Sequence, residues 1–242
     1  MIVRLLVTRP DPDGARTATA LRERGHEVTV AALLRLEHIA FELPDEPPGA
    51  VVITSANALR ATASHPARAA LTRLPAFTVG RHAAQAAREA GFREIHCADG
   101  DKASLVGLIA ARYRQEGKPL LLYLAGEDRA GDFAAELAPH GLTVKTAIVY
   151  RAVKLERFPG PVEDLLAGGT LDGVLHFSKR SAETYIGCAT RAGILERALK
   201  PLHYCLSRQV ALPLAAAGAA TKVAPRPEEA ALIDLVALPQ VS

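Results

Sequence analysis

The sequence predicts an α/β protein built from parallel sheets. Short apolar strands alternate with helical segments along the 242 residues. Strands of parallel sheets are buried on both faces, so continuous apolar runs of this kind are typical of them. The strand–helix pattern also restarts near Lys118, which indicates an internal duplication. We therefore expect two similar parallel sheets, each with helices on both faces.

Length and composition fit two globular domains without a nucleic-acid partner. The chain is longer than a typical domain of about 100–150 residues, and its 49% hydrophobic and 23% charged residues are ordinary values. The formal net charge is +3, and no basic run is long enough to form a nucleic-acid arm. A mild positive charge is compatible with an anionic small ligand.

Neither a disulfide framework, a metal site nor a membrane segment is predicted. Cys97, Cys188 and Cys205 are far apart and lack metal-ligand spacing, so we interpret them as thiols of a reducing compartment. The eight His residues form no HxH or HExxH motif. The chain enters a strand after Met1 without a signal-peptide pattern, and no stretch approaches the roughly 18 apolar residues of a membrane span. A cytoplasmic protein is expected.

The elements of the first half follow from apolar runs and from glycines that end helices. Gly25 and Gly91 lie where a left-handed residue commonly follows a helix, and Ser55–Asn57 has the pattern of a helix N-cap. The predicted strands are Ile2–Val7, His26–Val30, Val51–Thr54, Ala76–Val79 and Glu94–Cys97. The predicted helices are Ala15–Arg24, Ala58–Ser64, Arg81–Ala90 and Ala103–Gln115.

The second half repeats this order. A polar loop, Ala125–Arg129, follows its first strand, and a polar turn, Ser178–Ser181, follows a later one. The predicted strands are Pro119–Leu124, Thr143–Thr146, Thr146–Val153, Val174–Phe177 and Leu202–Leu206. The predicted helices are Asp132–Pro139, a helix after Ser178, a helix from Ser207 to about Ala217, and Glu228–Leu238.

Matching positions of the two halves keep a constant separation within each strand–helix unit. The separation grows only between units, where loops tolerate insertions. It is 116 residues for Leu6 and Leu122 and for Gly25 and Gly141, 123 for Ser55 and Ser178, and 127 for Gly80 and Ser207 and for Gly91 and Gly218. Two divisions into domains are compatible with this duplication. One separates the repeats near Lys118, and the other joins the first unit to the last two units.

Polar loops at the predicted strand ends are the candidate binding site. Ligands of open parallel sheets bind beyond the carboxyl ends of the strands, and helix N-termini there suit carboxylates or phosphates. The alternative is that these side chains only cap helices. The loops are Thr8–Pro10, Thr54–Asn57, Gly80–His82, Ala125–Arg129, Ser178–Ser181 and Leu206–Gln209.

Tyr150 differs from the other candidates because its hydroxyl lies within an apolar strand. Such a hydroxyl needs either a partner in the core or a ligand. His82 and His176 stand beside candidate loops and could transfer protons, although surface or hydrogen-bonded histidines would have the same pattern. The sequence contains no GxxxxGK[ST], GxGxxG or GxSxG motif, so nothing predicts a nucleotide site or a serine hydrolase.

An ordered set of short motifs resembles the uroporphyrinogen-III synthase family over nearly the whole chain. The segments that carry the resemblance are LLVTRP, ARTATALRERGHEV, VVITSANAL, TVG followed by AAREAGF, AGEDRAGDFAAEL, HGLTV, VYRAV, LHFS and the tail from AAAGAATKV. The family's fold implies two α/β domains joined by two linker strands, with the active site in the cleft. The implied domains are 1–35 plus 154–242 and 38–149, with linkers near 34–38 and 148–154.

The resemblance also implies a reaction and its residues. Family members cyclise hydroxymethylbilane to uroporphyrinogen III with loss of water and inversion of ring D through a spiro intermediate. They use no metal or organic cofactor and usually act as monomers, and a transient contact with hydroxymethylbilane synthase is compatible with this. Tyr150 matches the family's proton donor. The matched substrate-binding positions are Thr8, Arg9, Thr54, Ser55, Gly80, Ser178 and Ser207.

The sequence departs from the family at two places. Ala83 stands where a Thr is common, preceded by His82, and Ser207–Gln209 replaces a Thr-containing segment. A catalytic role for those Thr hydroxyls is therefore not expected here, and His82 or Ser207 could take their place. The alternative function is a two-lobed sensor that binds a sugar or a small anion without catalysis. Such sensors usually stack aromatic residues on sugars, whereas this chain has 5% aromatic residues and no Trp.

Overall fold

The computed structural model describes residues 2–114, 117–128 and 131–237. The chain divides into two compact units. Unit 1 comprises residues 1–35 and 153–242, and unit 2 comprises residues 36–152. Each unit contains a mainly parallel sheet with apolar clusters on both faces, which is the α/β class that the sequence predicts. Within the described residues, no helix is long and apolar enough to cross a membrane.

The elements alternate along the described chain. The strands are β1 (Arg4–Val7), β2 (Glu27–Val30), β3 (Leu34–His38), β4 (Ala50–Ile53), β5 (Ala76–Val79), β6 (Ile95–Ala98), β7 (Leu121–Gly126), β8 (Val144–Lys154), β9 (Gly173–His176), β10 (Leu202–Cys205) and β11 (Thr221–Val223). The helices are α1 (Asp13–Glu23), α2 (Ala56–Ala61), α3 (Arg68–Leu71), α4 (Gly80–Glu89), α5 (Lys102–Arg112), α6 (Phe133–Leu137), α7 (Val162–Ala167), α8 (Lys179–Arg191), α9 (Leu195–Ala198), α10 (Arg208–Ala216) and α11 (Glu229–Ala237).

The sheet of unit 1 has the order β11-β10-β9-β1-β2, and all its pairs are parallel. Side chains alternate between its two faces. Leu6 packs into one apolar cluster with α7, α8 and α10, whereas Leu5 and Val7 pack into another with α1 and α11. Because β10, β9 and β1 are parallel, their carboxyl ends meet at one edge of this sheet.

The sheet of unit 2 has the order β3-β8-β7-β4-β5-β6, and the pairs from β8 to β6 are parallel. Val52 on β4 belongs to one apolar cluster, with α5 and α6, and Ile53 belongs to the other, with α2 and α4. The central strands β4 and β7 are buried along their whole length, as their continuous apolar sequences require.

Several predicted boundaries are wrong, and short elements were missed. β7 continues through Gly126 where a loop was predicted from Ala125, and the two strands predicted around Thr146 form the single strand β8. The helix predicted over Ala58–Ser64 begins earlier, at Ala56. The missed elements α3, α7, α9 and β11 have three to six residues, too few for a clear periodicity. Gln115, Arg129 and Leu238, which end predicted segments, lie outside the described residues.

A pair of histidines lies inside the core of unit 1. His176 on β9 and His203 on β10 are fully buried, with 3.0 Å between Nε2 of His176 and Nδ1 of His203. The Tyr185 ring contacts both imidazoles edge-on, and its hydroxyl donates to the Ala198 carbonyl. Burial lowers the pKa of His203 from 6.5 to about 4 and holds the pKa of His176 well below its ordinary value. The pair is therefore neutral in the folded protein at neutral pH.

Acidification is expected to destabilise the protein before its carboxylates titrate. The unfolded chain takes up protons on these two histidines as the pH falls through 6.5, whereas folded His203 stays neutral until about pH 4. The stabilising contribution is therefore fully present above pH 6.5 and is lost below it. His203 alone should lower the free energy of unfolding by about 2 kcal/mol at pH 5. Urea unfolding between pH 7.5 and pH 5 measures this loss.

The double variant His176→Leu/His203→Leu is the control for this prediction. It should lose clearly less free energy of unfolding over the same pH range. Some loss will remain, because burial also lowers the pKa of His26. An equal loss in the wild-type protein and the double variant would contradict the assignment of the acid sensitivity to this pair.

Candidate functional site

Five of the residues that form the candidate site lie at one edge of the sheet of unit 2. Thr54 and Ser55 directly follow β4, and Gly80 follows β5. Gly126 is the last residue of β7, and Tyr150 pairs with it from β8. Since β8, β7, β4 and β5 are neighbours and parallel, these residues share the carboxyl edge, where ligands of open sheets bind.

The Thr54 side chain is held by a residue that sequence reasoning missed. The Tyr123 hydroxyl on β7 lies 3.0 Å from Oγ1 of Thr54, and either oxygen can donate. One hydroxyl hydrogen is used between them, so one O–H remains to donate elsewhere. The Tyr123 ring packs against Phe133, with 5.1 Å between the centroids. The missed signal was a Tyr within an apolar strand, the same signal that singled out Tyr150.

Two helices begin at this edge in different ways. Ser55 is the N-cap of α2, and its Oγ accepts a hydrogen bond of 3.2 Å from the Asn57 amide. Gly80 begins α4 with a φ of +74°, a left-handed value that favours glycine, and no side chain caps this helix. Ala83 is buried on α4, so the position where the family commonly has Thr carries no hydroxyl here. His82 is exposed on the same turn.

Tyr150 is half-buried at the end of the parallel part of β8. Its carbonyl accepts a hydrogen bond of 2.9 Å from the Glu127 amide. Its ring packs against the cluster that also contains Val149 and Leu124. The other tyrosines are at most 6% exposed, so Tyr150 is the most exposed of the five tyrosine residues.

The corresponding edge of unit 1 holds Thr8, Arg9, Ser178 and Ser207, and two of these are bound within the unit. Thr8 is 0% exposed, and its hydroxyl donates to the Leu175 carbonyl at 2.8 Å. The Arg9 guanidinium forms ion pairs of 3.2 Å with Asp13 and 3.3 Å with Glu229. Both residues therefore connect elements of unit 1, and the Thr8 hydroxyl is not accessible to a ligand.

Of the two serines at this edge, one caps the helix that follows it and the other does not, just as Ser55 caps α2 whereas no side chain caps α4 at Gly80. Ser178 caps α8, because its Oγ accepts a hydrogen bond of 3.0 Å from the Ser181 amide. Ser207 precedes α10 but makes no side-chain cap hydrogen bond. Of the helices that follow β4, β5, β9 and β10, α2 and α8 are thus capped, and α4 and α10 present backbone N–H groups without a capping side chain. Free N–H groups at a helix start attract anions.

No group of three or more His, Cys, Asp or Glu residues in the described ranges is arranged to hold a metal ion. The donors described at the two edges are hydroxyls, backbone amides, the ion-paired guanidinium of Arg9 and the phenol of the half-buried Tyr150. Such groups can bind carboxylates, and the phenol can donate a proton.

The fold and these edges define the class of protein. The chain is a two-unit α/β protein with mainly parallel sheets and with uncapped helix starts and hydroxyl groups at their carboxyl edges. It belongs to the uroporphyrinogen-III synthase family: the family model described as uroporphyrinogen-III synthase HemD matches residues 15–234. The family match confirms the resemblance found in the sequence. Enzymes of this family act in tetrapyrrole biosynthesis.

Solved structures agree with this assignment at the level of the fold. A uroporphyrinogen-III synthetase from Helicobacter pylori is 18% identical, with a TM-score of 0.68 over 98% of this chain and 99% of that chain. A mutant uroporphyrinogen III synthase from Thermus thermophilus is also 18% identical, with a TM-score of 0.52 over 97% of this chain and 98% of that chain. No curated protein sequence matches this chain.

The hydrogen bond between Thr54 and Tyr123 can be tested by a double-mutant cycle. Thr54→Val and Tyr123→Phe each remove one partner while preserving shape. Each should lower the free energy of unfolding by about 1 kcal/mol, and the double variant should lose about 1 kcal/mol less than the sum. Urea unfolding of the four proteins measures the coupling, and strictly additive losses would contradict a hydrogen bond between the two side chains.

Proposed function

We propose that this chain is a hydro-lyase that cyclises hydroxymethylbilane to uroporphyrinogen III. The observation that carries the proposal is the half-buried Tyr150 at a sheet edge where α4 begins without a capping side chain. The substrate is a linear polycarboxylate, and it must be bound by its carboxylates while one end reacts. The uncapped starts of α4 and α10 could bind the carboxylates. Tyr150 could donate a proton at the reacting end.

In the proposed reaction, Tyr150 donates its phenolic proton to the departing hydroxyl of the substrate. The C–O bond breaks, water leaves, and the electron pair of a pyrrole nitrogen forms the azafulvene cation. The substituted carbon of ring D then attacks this cation and gives a spiro-pyrrolenine. Fragmentation and reclosure leave ring D inverted, and the proton released on rearomatisation can return to the phenolate. A neutral Tyr is a weak acid, so it contributes a modest part of the rate.

The larger part of catalysis in this proposal is orientation. The cation reacts without further activation, and the enzyme must present one carbon of ring D and exclude its neighbour. Gly80 and Ser207 would bind substrate carboxylates through backbone N–H groups at the starts of α4 and α10. The Thr54 hydroxyl, held by Tyr123, would donate to another carboxylate. Ser55 and Ser178 would act through the helices they cap, and Thr8 and Arg9 by holding the edge of unit 1 in shape.

The two units are proposed to be the two domains of an internal duplication. By the constant separations, β1, β2, β9, β10 and β11 correspond to β7, β8, β4, β5 and β6. The strand order β2-β1-β9-β10-β11 in unit 1 then has the same connectivity as β8-β7-β4-β5-β6 in unit 2, which supports the proposal. Two backbone hydrogen bonds, from Leu155 to Leu33 and from Ile39 to Val149, support a paired linker near 34–38 and 148–154.

We further propose that the protein acts as a cytoplasmic monomer without a cofactor. The cysteines support a reducing compartment, since Cys97, Cys188 and Cys205 are free thiols. A transient contact with hydroxymethylbilane synthase remains part of this proposal, because its product would be the substrate here.

Replacing Tyr150 with Phe should slow turnover and leave the fold intact. The variant loses only the hydroxyl, so we expect kcat to fall roughly 10- to 100-fold with little change in the free energy of unfolding. The measurement supplies hydroxymethylbilane, oxidises the products and determines the porphyrin isomer. Wild-type turnover in Tyr150→Phe would exclude this residue as the acid. Formation of isomer I alone by the wild-type protein, at the spontaneous rate, would refute the proposed activity.

Placing a carboxylate at the start of α10 should separate stability from substrate binding. Ser207→Asp puts a negative charge at the positive end of the helix, so the free energy of unfolding should stay equal or rise by up to about 1 kcal/mol. The same charge should repel a substrate carboxylate and raise KM severalfold. Ser207→Asn is the matched control, because it caps a helix equally well without charge. An unchanged KM in Ser207→Asp would argue against substrate binding at α10.

A further inference from the structure

The ring of Tyr150 occupies the space where residue 126 would carry a side chain. A Cβ atom added to Gly126 would lie 2.7 Å from Cζ and 2.8 Å from the hydroxyl oxygen of Tyr150. Real Cβ atoms do not approach other atoms so closely. The reacting end of the Tyr150 side chain therefore lies directly on the Gly126 backbone.

Gly126 is not required by its backbone conformation. The glycines with positive φ in the described chain do not include it, so an L-residue could adopt its backbone angles. Its neighbours on the same face of β7, Leu122 and Leu124, are buried in one apolar cluster, and alternation places position 126 on that face too. Glycine is needed at this position because the Tyr150 ring takes the place of a side chain.

A shift in strand register directs the Tyr150 ring to this face. Ala125 pairs with Ile148, but the next residue, Gly126, pairs with Tyr150, so Val149 is an extra residue on β8. Ile148 packs on one face of the sheet and Val149 on the other, and strict alternation would return Tyr150 to the face of Ile148. Tyr150 instead packs on the face of Val149. Register shifts of this bulge type are known to redirect side chains beside active sites.

We infer that Gly126 is a positioning residue that determines where the Tyr150 hydroxyl lies. Because Gly126 has no side chain, the phenol of Tyr150 can lie against its backbone at the carboxyl edge. The inference rests on the proposed function for its catalytic consequence. A methyl group at position 126 displaces the phenol, so a displaced proton donor should protonate the departing hydroxyl less well.

The test compares Gly126→Ala, Tyr150→Phe and the double variant. Gly126→Ala should lower kcat by a factor close to that of Tyr150→Phe, roughly 10- to 100-fold, with a much smaller change in KM. Because Gly126 acts only through the phenol, adding Gly126→Ala to Tyr150→Phe should lower kcat no further. A clear additional loss of kcat in the double variant would overturn the inference.

A matched control is available in unit 1. A Cβ at Gly173 on β9 would lie 2.8 Å from the Tyr204 ring and 3.0 Å from Leu5, so Gly173→Ala introduces a comparable clash with a different tyrosine. It should lower the free energy of unfolding as Gly126→Ala does and leave kcat unchanged at a temperature where both variants are folded. An equal loss of kcat in Gly173→Ala would mean that the effect of Gly126→Ala is a loss of folded enzyme, and this would overturn the inference.

A spectroscopic measurement tests the position of Tyr150 independently of activity. The chain has five tyrosines, so fluorotyrosine-labelled protein gives five ¹⁹F NMR signals, and Tyr150→Phe identifies that of Tyr150. Gly126→Ala should shift this signal and leave the other four in place. An unmoved Tyr150 signal with wild-type kcat would overturn the inference while the proposed function stands. Wild-type kcat in Tyr150→Phe would overturn the proposed acid, and the ¹⁹F shift would still decide whether Gly126 positions the phenol.

Discussion

Parallel strand pairing is the constraint on which the rest of this structure depends. Because neighbouring strands run in the same direction, all their carboxyl ends lie at one edge, and each connection must return through a helix on a face of the sheet. Central strands such as β4 and β7 are consequently buried on both faces and are almost wholly apolar. Polar groups that act on a ligand can then lie only at the strand ends. Most candidate residues accordingly follow a strand, and Tyr150 lies where the parallel pairing of β8 with β7 ends.

At both edges, some hydroxyl groups form hydrogen bonds with the protein's own backbone. Ser55 and Ser178 satisfy the first amides of their helices, and Thr8 satisfies a carbonyl of the neighbouring strand. These groups stabilise the edge and leave other positions to meet a ligand. The positions that remain are the starts of α4 and α10, the Thr54 hydroxyl and the phenol of Tyr150. In the proposed function, such an edge would bind carboxylates mainly through backbone N–H groups, so a polyanion would not require a large positive net charge.

The sequence predicted what depends on periodicity and missed what depends on register. Continuous apolar runs such as Val51–Thr54 and glycine stops such as Gly25 are local signals, so strands, helices and their order could be predicted. The contact between Thr54 and Tyr123 could not, because it depends on which residue of β7 lies opposite β4. Likewise, a single extra residue on β8 changes the face on which Tyr150 lies, and no pattern in the apolar run around it marks that shift. The side-chain caps could be predicted at Ser55 but not their absence at Ser207, where the same residue type leaves its helix uncapped.

The division of unit 1 into two separate stretches of chain has a consequence for synthesis on the ribosome. Unit 2 is one continuous stretch, residues 36–152, and all the strands from β4 to β8 have emerged before any of β9. In contrast, β1 pairs with β9, where Leu5 lies opposite Gly173. One edge of β1 therefore stays without its partner strand until Gly173, 168 residues after Leu5, has been translated. Chains emerge from the amino terminus at a finite rate, and early segments whose partners come late are exposed in the meantime. The first unit to begin is thus the last that can be completed, and unit 2 can fold while β1 is still waiting for its central partner.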